Sequence, residues 1–397
     1  MLYTFLAIIA FYLAYKVGCL EKQNDRDLYY KLTFFVIFFI YGFEFYNTVD
    51  YSVMLSKFNW VNNTEKSIFE FGEVVEPLCA FLLKLCQPIG GIGYYLVTAA
   101  FEIFVMYKLC KKSFDERFLW LFVFILLINF SYVITFMTLK RQFLSVSFVM
   151  LGVYLSSLES FKDKRFFSKE SFYIFLCFVA AFMIHKASVG ALFLLPIVFL
   201  KQPLTKKMSV FLLFLFLLQY LINLSDYADS IFYFLSDRTE KFAHYAQQLE
   251  SGRSKTFVYI FYETVVFLTL LYYGNKESGI RLVLIKASLL YFVTVNYFQK
   301  DMGRIVLYYQ YCTIFAIVIS IENLLIEGKI KFAKMLMLMV VLISCRLYYN
   351  AYFVNDKHSM SYGFKNFETI FEAPSLWIDN PVKLYKKYLP HYYLPYY

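Results

Sequence analysis

The sequence predicts an all-α, polytopic membrane protein with about twelve transmembrane helices. Of its 397 residues, 60% are hydrophobic and only 17% are charged, whereas about 25% of residues are charged in a soluble domain. The mean hydropathy is +0.55, and aromatic side chains make up 22% of the chain. So few charges cannot cover the surface of a soluble protein, and we therefore expect lipid to cover most of it.

Twelve mainly apolar stretches have about the length that a spanning helix needs. They cover approximately residues 2–18, 32–46, 88–107, 119–138, 142–158, 172–185, 187–200, 208–224, 257–273, 282–298, 304–322 and 333–349. Residues 172–200 are too long for one straight crossing, and His185 and Lys186 interrupt them, so two short spans are predicted there. The first span is expected to remain in the protein, because residues 1–18 have neither the basic start nor the cleavage site of a signal peptide.

The segments outside the spans define the predicted domains. Residues 74–86 are apolar but short, and Pro77 and Lys84 interrupt them, which favours a re-entrant or interfacial helix. We expect one polytopic transmembrane domain over residues 1–349, with a large outer loop at 225–256. Residues 350–397 form an aromatic tail that we expect to lie along the outer membrane interface, where Tyr and Trp are favoured.

The distribution of lysine and arginine predicts the orientation. With the N-terminus outside, all six inside loops are basic: residues 19–31, 108–118, 159–171, 201–207, 274–281 and 328–334. Their density of basic residues is more than twice that of the outside segments, as the positive-inside rule requires. Both termini are therefore expected outside. Because basic loops are usual in membrane proteins, the formal net charge of +10 does not indicate a nucleic-acid partner.

Five separate stretches place charged residues at the outer ends of the predicted helices. They contain Asp50, Glu76, the turn Lys140-Arg141-Gln142, the turn His185-Lys186, and the group Lys300, Asp301 and Arg304. A charge in lipid costs about 2.5–3.5 kcal/mol on insertion scales, so such charges usually face a cavity. Because all of these charges are predicted on the same side of the membrane, they indicate a functional site there. Structural alternatives stay open: the arginines could snorkel, His185 could be a hydrogen-bonded core residue, Glu76 a helix cap and Asp50 a loop acid.

The remaining motifs are weaker. Asp25-Arg26-Asp27 spells the DxD of metal-dependent glycosyltransferases but lies in a charged inside loop. Glu102 and Glu263 fall within predicted spans, either as proton-relay acids of a transporter or as hydrogen-bonded interior groups. Residues 90–93 (GGIG) lack the Gly-Lys-Ser/Thr of a phosphate loop and are expected to relieve helix packing. The seven cysteines show no paired spacing, so neither a disulfide framework nor a metal site is expected.

The outer charges belong to short motifs that occur in a distinctive order. These motifs are Asp50-Tyr51, Glu76-Pro77-Leu78, Arg141-Gln142, His185 with Ala187 and Ser188, and Arg304 with Tyr308 and Tyr309. The arrangement covers about residues 1–350 and resembles the EpsG family, a branch of the Wzy-like polysaccharide polymerases of bacterial inner membranes. Family members often have Gly two residues before the Asp, where this sequence has Thr48.

The resemblance implies a GT-C-like glycosyltransferase that acts at the outer face of the bacterial inner membrane without a cofactor. Its substrate would be an oligosaccharide repeat unit on undecaprenyl diphosphate, and its product a capsule, an exopolysaccharide or an O-antigen. The growing chain would move from its lipid diphosphate to the sugar of an incoming repeat. Besides this substrate and the lipid bilayer, a chain-length regulator of the polysaccharide pathway is a candidate partner.

This chemistry gives the outer residues three roles. The lipid diphosphate would be bound by cations, which can stabilise the leaving group without a metal: Arg141, Arg304 and Lys140. The proton of the attacking hydroxyl would be accepted by one of three groups: Glu76, Asp50 or His185. Of these, Glu76 is favoured for its match to the family and its place beside the membrane. The substrate would also contact Tyr51, Gln142 and Tyr308.

Two further points stay open from the sequence. The outer aromatic residues Tyr51, Trp60, Tyr94 and Tyr95 could stack on sugars or could belong to the interfacial aromatic belt. An outer-face polysaccharide ligase or acyltransferase would share the arginines and the histidine. A flippase or other transporter of lipid-linked oligosaccharide is the third class, although neither repeat symmetry nor midplane charges support it.

Overall fold

The fold is known from a computed structural model that describes residues 2–45, 49–64, 67, 70, 75–129, 132–133, 140–158, 168–221, 257–295, 303–349 and 368–369. Within these residues the protein is helical, apart from a two-residue antiparallel pairing of β1 (Glu44–Phe45) with β2 (Glu368–Thr369). The prediction of an all-α protein is thus confirmed for the part of the chain that the structure describes.

The described residues form fourteen α-helices. In chain order they are α1 (Leu2–Cys19), α2 (Gln23–Gly42), α3 (Val49–Asn63), α4 (Pro77–Leu85), α5 (Gly91–Ser113), α6 (Leu119–Ile128), α7 (Lys140–Leu155), α8 (Lys169–Ile184), α9 (Leu194–Leu200), α10 (Lys206–Leu221), α11 (Phe257–Gly274), α12 (Gly279–Thr294), α13 (Gly303–Ile326) and α14 (Ile330–Tyr349). Shorter 3₁₀ segments lie at Gln87–Ile89, Glu116–Phe118 and Lys186–Phe193.

Each of the twelve predicted spans contains helical residues, but the helices differ in their ability to cross a membrane. Four are long and apolar enough by themselves: α1, α5, α11 and the Val306–Ile326 part of α13. These helices make the chain a membrane protein by length and composition. The other described helices are shorter or less apolar, so the count of twelve spans stays a prediction.

The predicted break within residues 172–200 coincides with a change of helix type. Helix α8 ends at Ile184, and a 3₁₀ segment begins at Lys186 and leads into α9. A 3₁₀ helix rises about 2.0 Å per residue, against 1.5 Å for an α-helix. Residues 186–200 therefore reach further than an α-helix of equal length.

Two helices differ from the sequence prediction. Helix α2 begins at Gln23, well before the predicted span, and its first turns include the DxD motif. There Asp27 forms an ion pair with Lys111 at 2.9 Å, so this carboxylate belongs to a surface contact. Helix α3 occupies residues that were expected to form an outer loop. By contrast, α4 falls within residues 74–86, where a short helix was predicted.

The chain divides into two compact units. The first comprises Met1–Tyr154, Phe175–Lys186 and Val340–Tyr397, and the second comprises Leu155–Ile174 and Ala187–Met339. In the first unit, α1 packs on α2 and α6, and its small residues Ala7, Ala10 and Ala14 are buried. The Tyr3 hydroxyl donates to the Leu127 carbonyl at 2.7 Å, which ties α1 to α6. The Ser145 hydroxyl donates to the Ala181 carbonyl at 2.8 Å, which ties α7 to α8.

Two glycines shape the start of α5, and Gly93 relieves crowding there, as predicted. Gly90 has a φ of 82°, a backbone conformation that favours glycine. A Cβ atom at Gly93 would lie 2.8 Å from the Cβ of Ile89, too close for any other residue without a shift. The GGIG sequence therefore serves the tight entry into α5.

The second unit is built around α13, in which 83% of the residues of an 18-residue apolar stretch within Val306–Ile326 are buried. Helix α12 packs closely against it. One end of this unit carries an ion-pair network. Arg281 contacts Glu277 and Glu322, both at 3.1 Å. Nearby, hydrogen bonds from Lys276 and Lys329 lower the pKa of Glu327 to about 2. These residues lie in or beside the loops that were assigned to the inside.

Candidate active site

An ion pair between Glu76 and Arg141 forms the centre of the candidate site in the first unit. Nη1 of Arg141 lies 2.5 Å from Oε2 of Glu76, and the two side chains are only 22% and 12% exposed. The residues are 65 positions apart in sequence. Residues from two of the five predicted outer stretches are therefore in direct contact, and their shielding from water strengthens the interaction.

Local sequence explains how both groups reach this point. Glu76 precedes α4 with an extended backbone (φ −64°, ψ 148°), and Pro77 fixes the first turn of the helix. The carbonyl of Glu76 accepts from the Ala80 N–H at 2.9 Å, while its carboxylate points away from the helix to Arg141. Arg141 is the second residue of α7. The site thus lies where two helices begin.

The residues that follow α8 also lie beside the Glu76–Arg141 pair. The backbone N–H of Lys186 lies 3.5 Å from Oε1 of Glu76, at the long limit of a hydrogen bond. His185, which is 8% exposed, is close enough for its charge to act on Glu76. The structure therefore brings together three of the five predicted stretches: those around Glu76, Arg141 and His185.

The charges around Glu76 keep it ionised. Burial alone would raise the pKa of this carboxyl, but the positive charges of Arg141, His185 and Lys57 hold the pKa below its usual value. The described groups whose charge lowers this pKa therefore favour negative charge beside Glu76.

Lys57 is a neighbour that the sequence did not predict for the site. It lies on α3, which packs against α4. Nδ2 of Asn62 donates to the Leu83 carbonyl at 3.3 Å and fixes the register of the two helices. The spacing of the buried residues Met54, Phe58 and Val61 is the helical signal that could have revealed α3, and with it the position of Lys57.

The neighbours of Arg141 in sequence have different surroundings. Lys140 is 2% exposed, and its ammonium donates to the Tyr41 carbonyl at 2.7 Å. That carbonyl belongs to the last turn of α2, where a cation is favourable. Gln142 is likewise 2% exposed. Both side chains are therefore part of the packed interior of the first unit, and direct contact of either with substrate stays a prediction.

The remaining predicted site residues belong to the second unit or have no described side chain. Tyr308 is fully buried in the second unit. Asp50 and Tyr51 belong to α3 and Arg304 to α13, but the structure does not describe their side chains. Lys300 and Asp301 fall outside the described residues. Among the aromatic candidates, Trp60 is 36% exposed, whereas Tyr94 and Tyr95 are 1% and 2% exposed. The two tyrosines therefore form core contacts and offer no open face to a sugar.

The two acids within the predicted spans, Glu263 and Glu102, lie against neighbouring protein groups. Oε2 of Glu263 accepts from the Tyr220 hydroxyl at 2.7 Å, which links α11 to α10. Glu102 is 1% exposed in the middle of α5. The hydrogen bond to Tyr220 agrees with one of the two alternatives for Glu263, a hydrogen-bonded interior group. Among the described residues, no three His, Cys, Asp or Glu side chains group closely enough to hold a metal ion.

The arrangement defines a class of protein: a helical membrane protein with a buried carboxylate–guanidinium pair at the ends of three helices. The chain matches the EpsG family over residues 27–369, most of its length, and it belongs to that family. Family membership supports a polysaccharide polymerase-type function in polysaccharide biosynthesis. Comparisons with curated proteins and with solved structures gave no match.

Proposed function

We propose that the protein polymerises lipid-linked oligosaccharide repeat units at the outer face of the bacterial inner membrane. The growing glycan would move from undecaprenyl diphosphate to a hydroxyl of an incoming repeat, as the sequence resemblance implied. The observation that carries this proposal is the Glu76–Arg141 pair at 2.5 Å. It joins a candidate proton acceptor to a candidate phosphate ligand at one point.

The reaction requires both groups. The acceptor hydroxyl oxygen attacks the anomeric carbon of the growing chain, and its proton passes to a base, for which Glu76 is the favoured candidate. The bond from that carbon to the diphosphate oxygen breaks, and the lipid diphosphate leaves with the electron pair. A guanidinium can bind two phosphate oxygens at once, so Arg141 suits the stabilisation of that leaving charge. Arg304 is the second proposed ligand, and Asp50 and His185 are the alternative bases.

The ion pair suggests an order of events. While Arg141 holds Glu76, the pKa of this carboxyl is low, and the carboxylate is a weak base. A diphosphate that competes for the guanidinium would loosen the pair, and burial would then raise the pKa of Glu76. The carboxylate would become a stronger base when the substrate is bound, which is when a proton has to be accepted.

Two other functions use part of the same site. An outer-face ligase would cleave the same sugar–diphosphate bond but transfer the finished glycan to another acceptor. A flippase would bind the diphosphate without chemistry and would not need Glu76 as a base. The pairing of Glu76 with Arg141 favours a transferase over a flippase, and family membership favours the polymerase.

Surface glycan from a deletion strain tests the proposal. On a gel, loss of the polymerase should leave a single uncapped repeat unit in place of long chains. Complementation with the wild-type chain should restore the long chains, whereas Glu76→Gln at matched expression should not. Loss of all glycan, including the single repeat, would instead indicate a flippase or a ligase.

The proposed mechanism needs no metal, because arginines bind the diphosphate. Polymerisation by the purified protein should therefore continue in EDTA at close to its original rate. A complete loss of activity that Mg²⁺ or Mn²⁺ restores would contradict this mechanism and would point to a metal site, with Asp50 as the first residue to test.

A further inference from the structure

The Glu76–Arg141 pair is electrically neutral, and this raises the question of what attracts an anion to it. A guanidinium whose charge is already balanced by a carboxylate at 2.5 Å exerts little net attraction on a second anion. An anion-binding site built on Arg141 therefore needs at least one more positive charge nearby. The first unit contains such a residue outside the sequence motifs of the family resemblance, Lys57.

Helix register brings Lys57 to the start of α4. The Asn62–Leu83 hydrogen bond fixes one point of contact between α3 and α4. Five residues back along α3 is Lys57, about 7.5 Å away, and seven residues back along α4 is Glu76, about 10.5 Å away. Lys57 is therefore displaced along the helix axis from the level of Glu76. Side chains lean toward the N-terminus of their helix, so the long lysine side chain extends across this displacement.

Electrostatics and burial agree with this register. The charge of Lys57 acts on both Glu76 and Cys79, two residues at the beginning of α4, so α3 and α4 run side by side in the same direction. Lys57 follows Met54 and precedes Phe58, both buried, and it is itself half-buried. Lys57 therefore lies near the packed side of α3, and its charge acts on the carboxylate of the ion pair.

We propose that Lys57 and Arg141 together form a two-cation cradle for the diphosphate of the lipid-linked substrate. The proposal rests on the proposed function for the identity of the ligand. Lys57 supplies a compact point charge, and Arg141 supplies the planar fork. Lys57 thus adds a second positive charge beside the Glu76–Arg141 pair.

Binding of inorganic pyrophosphate to the purified full-length protein tests the cradle without requiring polymerase activity. In nanodiscs of neutral lipid, calorimetric titration should show saturable binding to the wild type. Lys57→Gln should weaken the affinity about tenfold or more, because charge-assisted contacts to phosphate are strong. Lys57→Arg keeps the charge and should bind within about threefold of the wild type. The effect of Lys57→Gln should diminish at high salt, which screens a partly exposed charge.

Two control variants sharpen the experiment. Lys84→Gln removes a half-buried lysine from the last turn of α4, about 12 Å along the helix from Glu76, and should leave pyrophosphate binding unchanged. Glu76→Gln removes the competing negative charge and should tighten binding. The cradle is overturned if the wild type shows no saturable binding, or if Lys57→Gln binds as well as the wild type while Arg141→Gln does not.

Failure of the cradle and failure of the proposed function are distinguishable. If pyrophosphate binding depends on Lys57 but the deletion strain loses all glycan, the cradle stands and the polymerase assignment falls. If the deletion strain accumulates single repeats but Lys57→Gln binds pyrophosphate normally, the polymerase assignment stands and the diphosphate is held without Lys57.

Discussion

Replacing Arg141 with lysine separates a phosphate ligand from a membrane anchor. A snorkelling arginine needs only a charge and a long stem, so lysine should replace it with little loss. A ligand that grips two phosphate oxygens needs the planar guanidinium, which lysine lacks. We expect Arg141→Lys to leave the amount of protein in the membrane near normal while long polymer disappears, with a loss of about 10²-fold or more in rate.

The strength of the Glu76–Arg141 ion pair sets the expected change in the free energy of unfolding of the Arg141 variants. With charge centres about 4 Å apart and an effective dielectric constant of about 20, the attraction is about 4 kcal/mol. Desolvation offsets part of it, because both side chains are mostly buried. Arg141→Met, which leaves Glu76 unpaired, should therefore lower the free energy of unfolding by about 2–4 kcal/mol. Arg141→Lys retains the charge and should cost much less.

Two assays distinguish these effects. Thermal denaturation in detergent follows stability, and gel analysis of surface glycan follows polymer length at matched expression. The double variant Glu76→Gln/Arg141→Met should be more stable than Arg141→Met alone, because it no longer buries an unpaired carboxylate. The reasoning would be refuted by normal polymer length in Arg141→Lys, or by stability losses that simply add in the double variant.

Two further predictions concern topology and pH. In a cysteine-free background, single cysteines should react with a membrane-impermeant reagent at Lys57 and Arg253 but not at Lys162 and Lys331; labelling of Lys162→Cys from outside would reverse the orientation. The lowered pKa of Glu76 means that its ion pair stabilises the protein at neutral pH and is lost as the pH falls through that lowered value. The difference in melting temperature between the wild type and Glu76→Gln should therefore shrink below about pH 4, and an unchanged difference at about pH 3 would contradict the assignment.

Hydropathy predicted the presence of helices well and their ends less well. Helix α2 begins at Gln23 and includes the charged DxD motif. A helix can continue beyond the lipid as long as its backbone hydrogen bonds continue to form. Helix α3 was missed because it has only fifteen residues, too few and too polar for a span. Its apolar spacing supports a helix that packs on protein rather than one that crosses lipid.

The candidate site was predictable in its residue types but not in its pairings. Charges at helix ends on one predicted side of the membrane pointed to Glu76, Arg141 and His185. The packing of the helices decides which of these side chains are in contact. Arg141 contacts Glu76. The adjacent Lys140 instead donates to the Tyr41 carbonyl. Successive residues of a helix point about 100° apart, so two neighbouring cations can have different surroundings.

The number of diphosphates bound separates a polymerase from a ligase more directly than the catalytic residues do. Both enzymes break the same bond, so both can use Glu76 and Arg141. In the polymerase, however, the acceptor is itself a repeat on a lipid diphosphate, and two diphosphates must be bound at once. Two equivalents of pyrophosphate per chain, one of them lost in Arg141→Gln, are therefore expected. A single equivalent that Arg141→Gln abolishes would leave no place for the second lipid diphosphate and would favour a ligase.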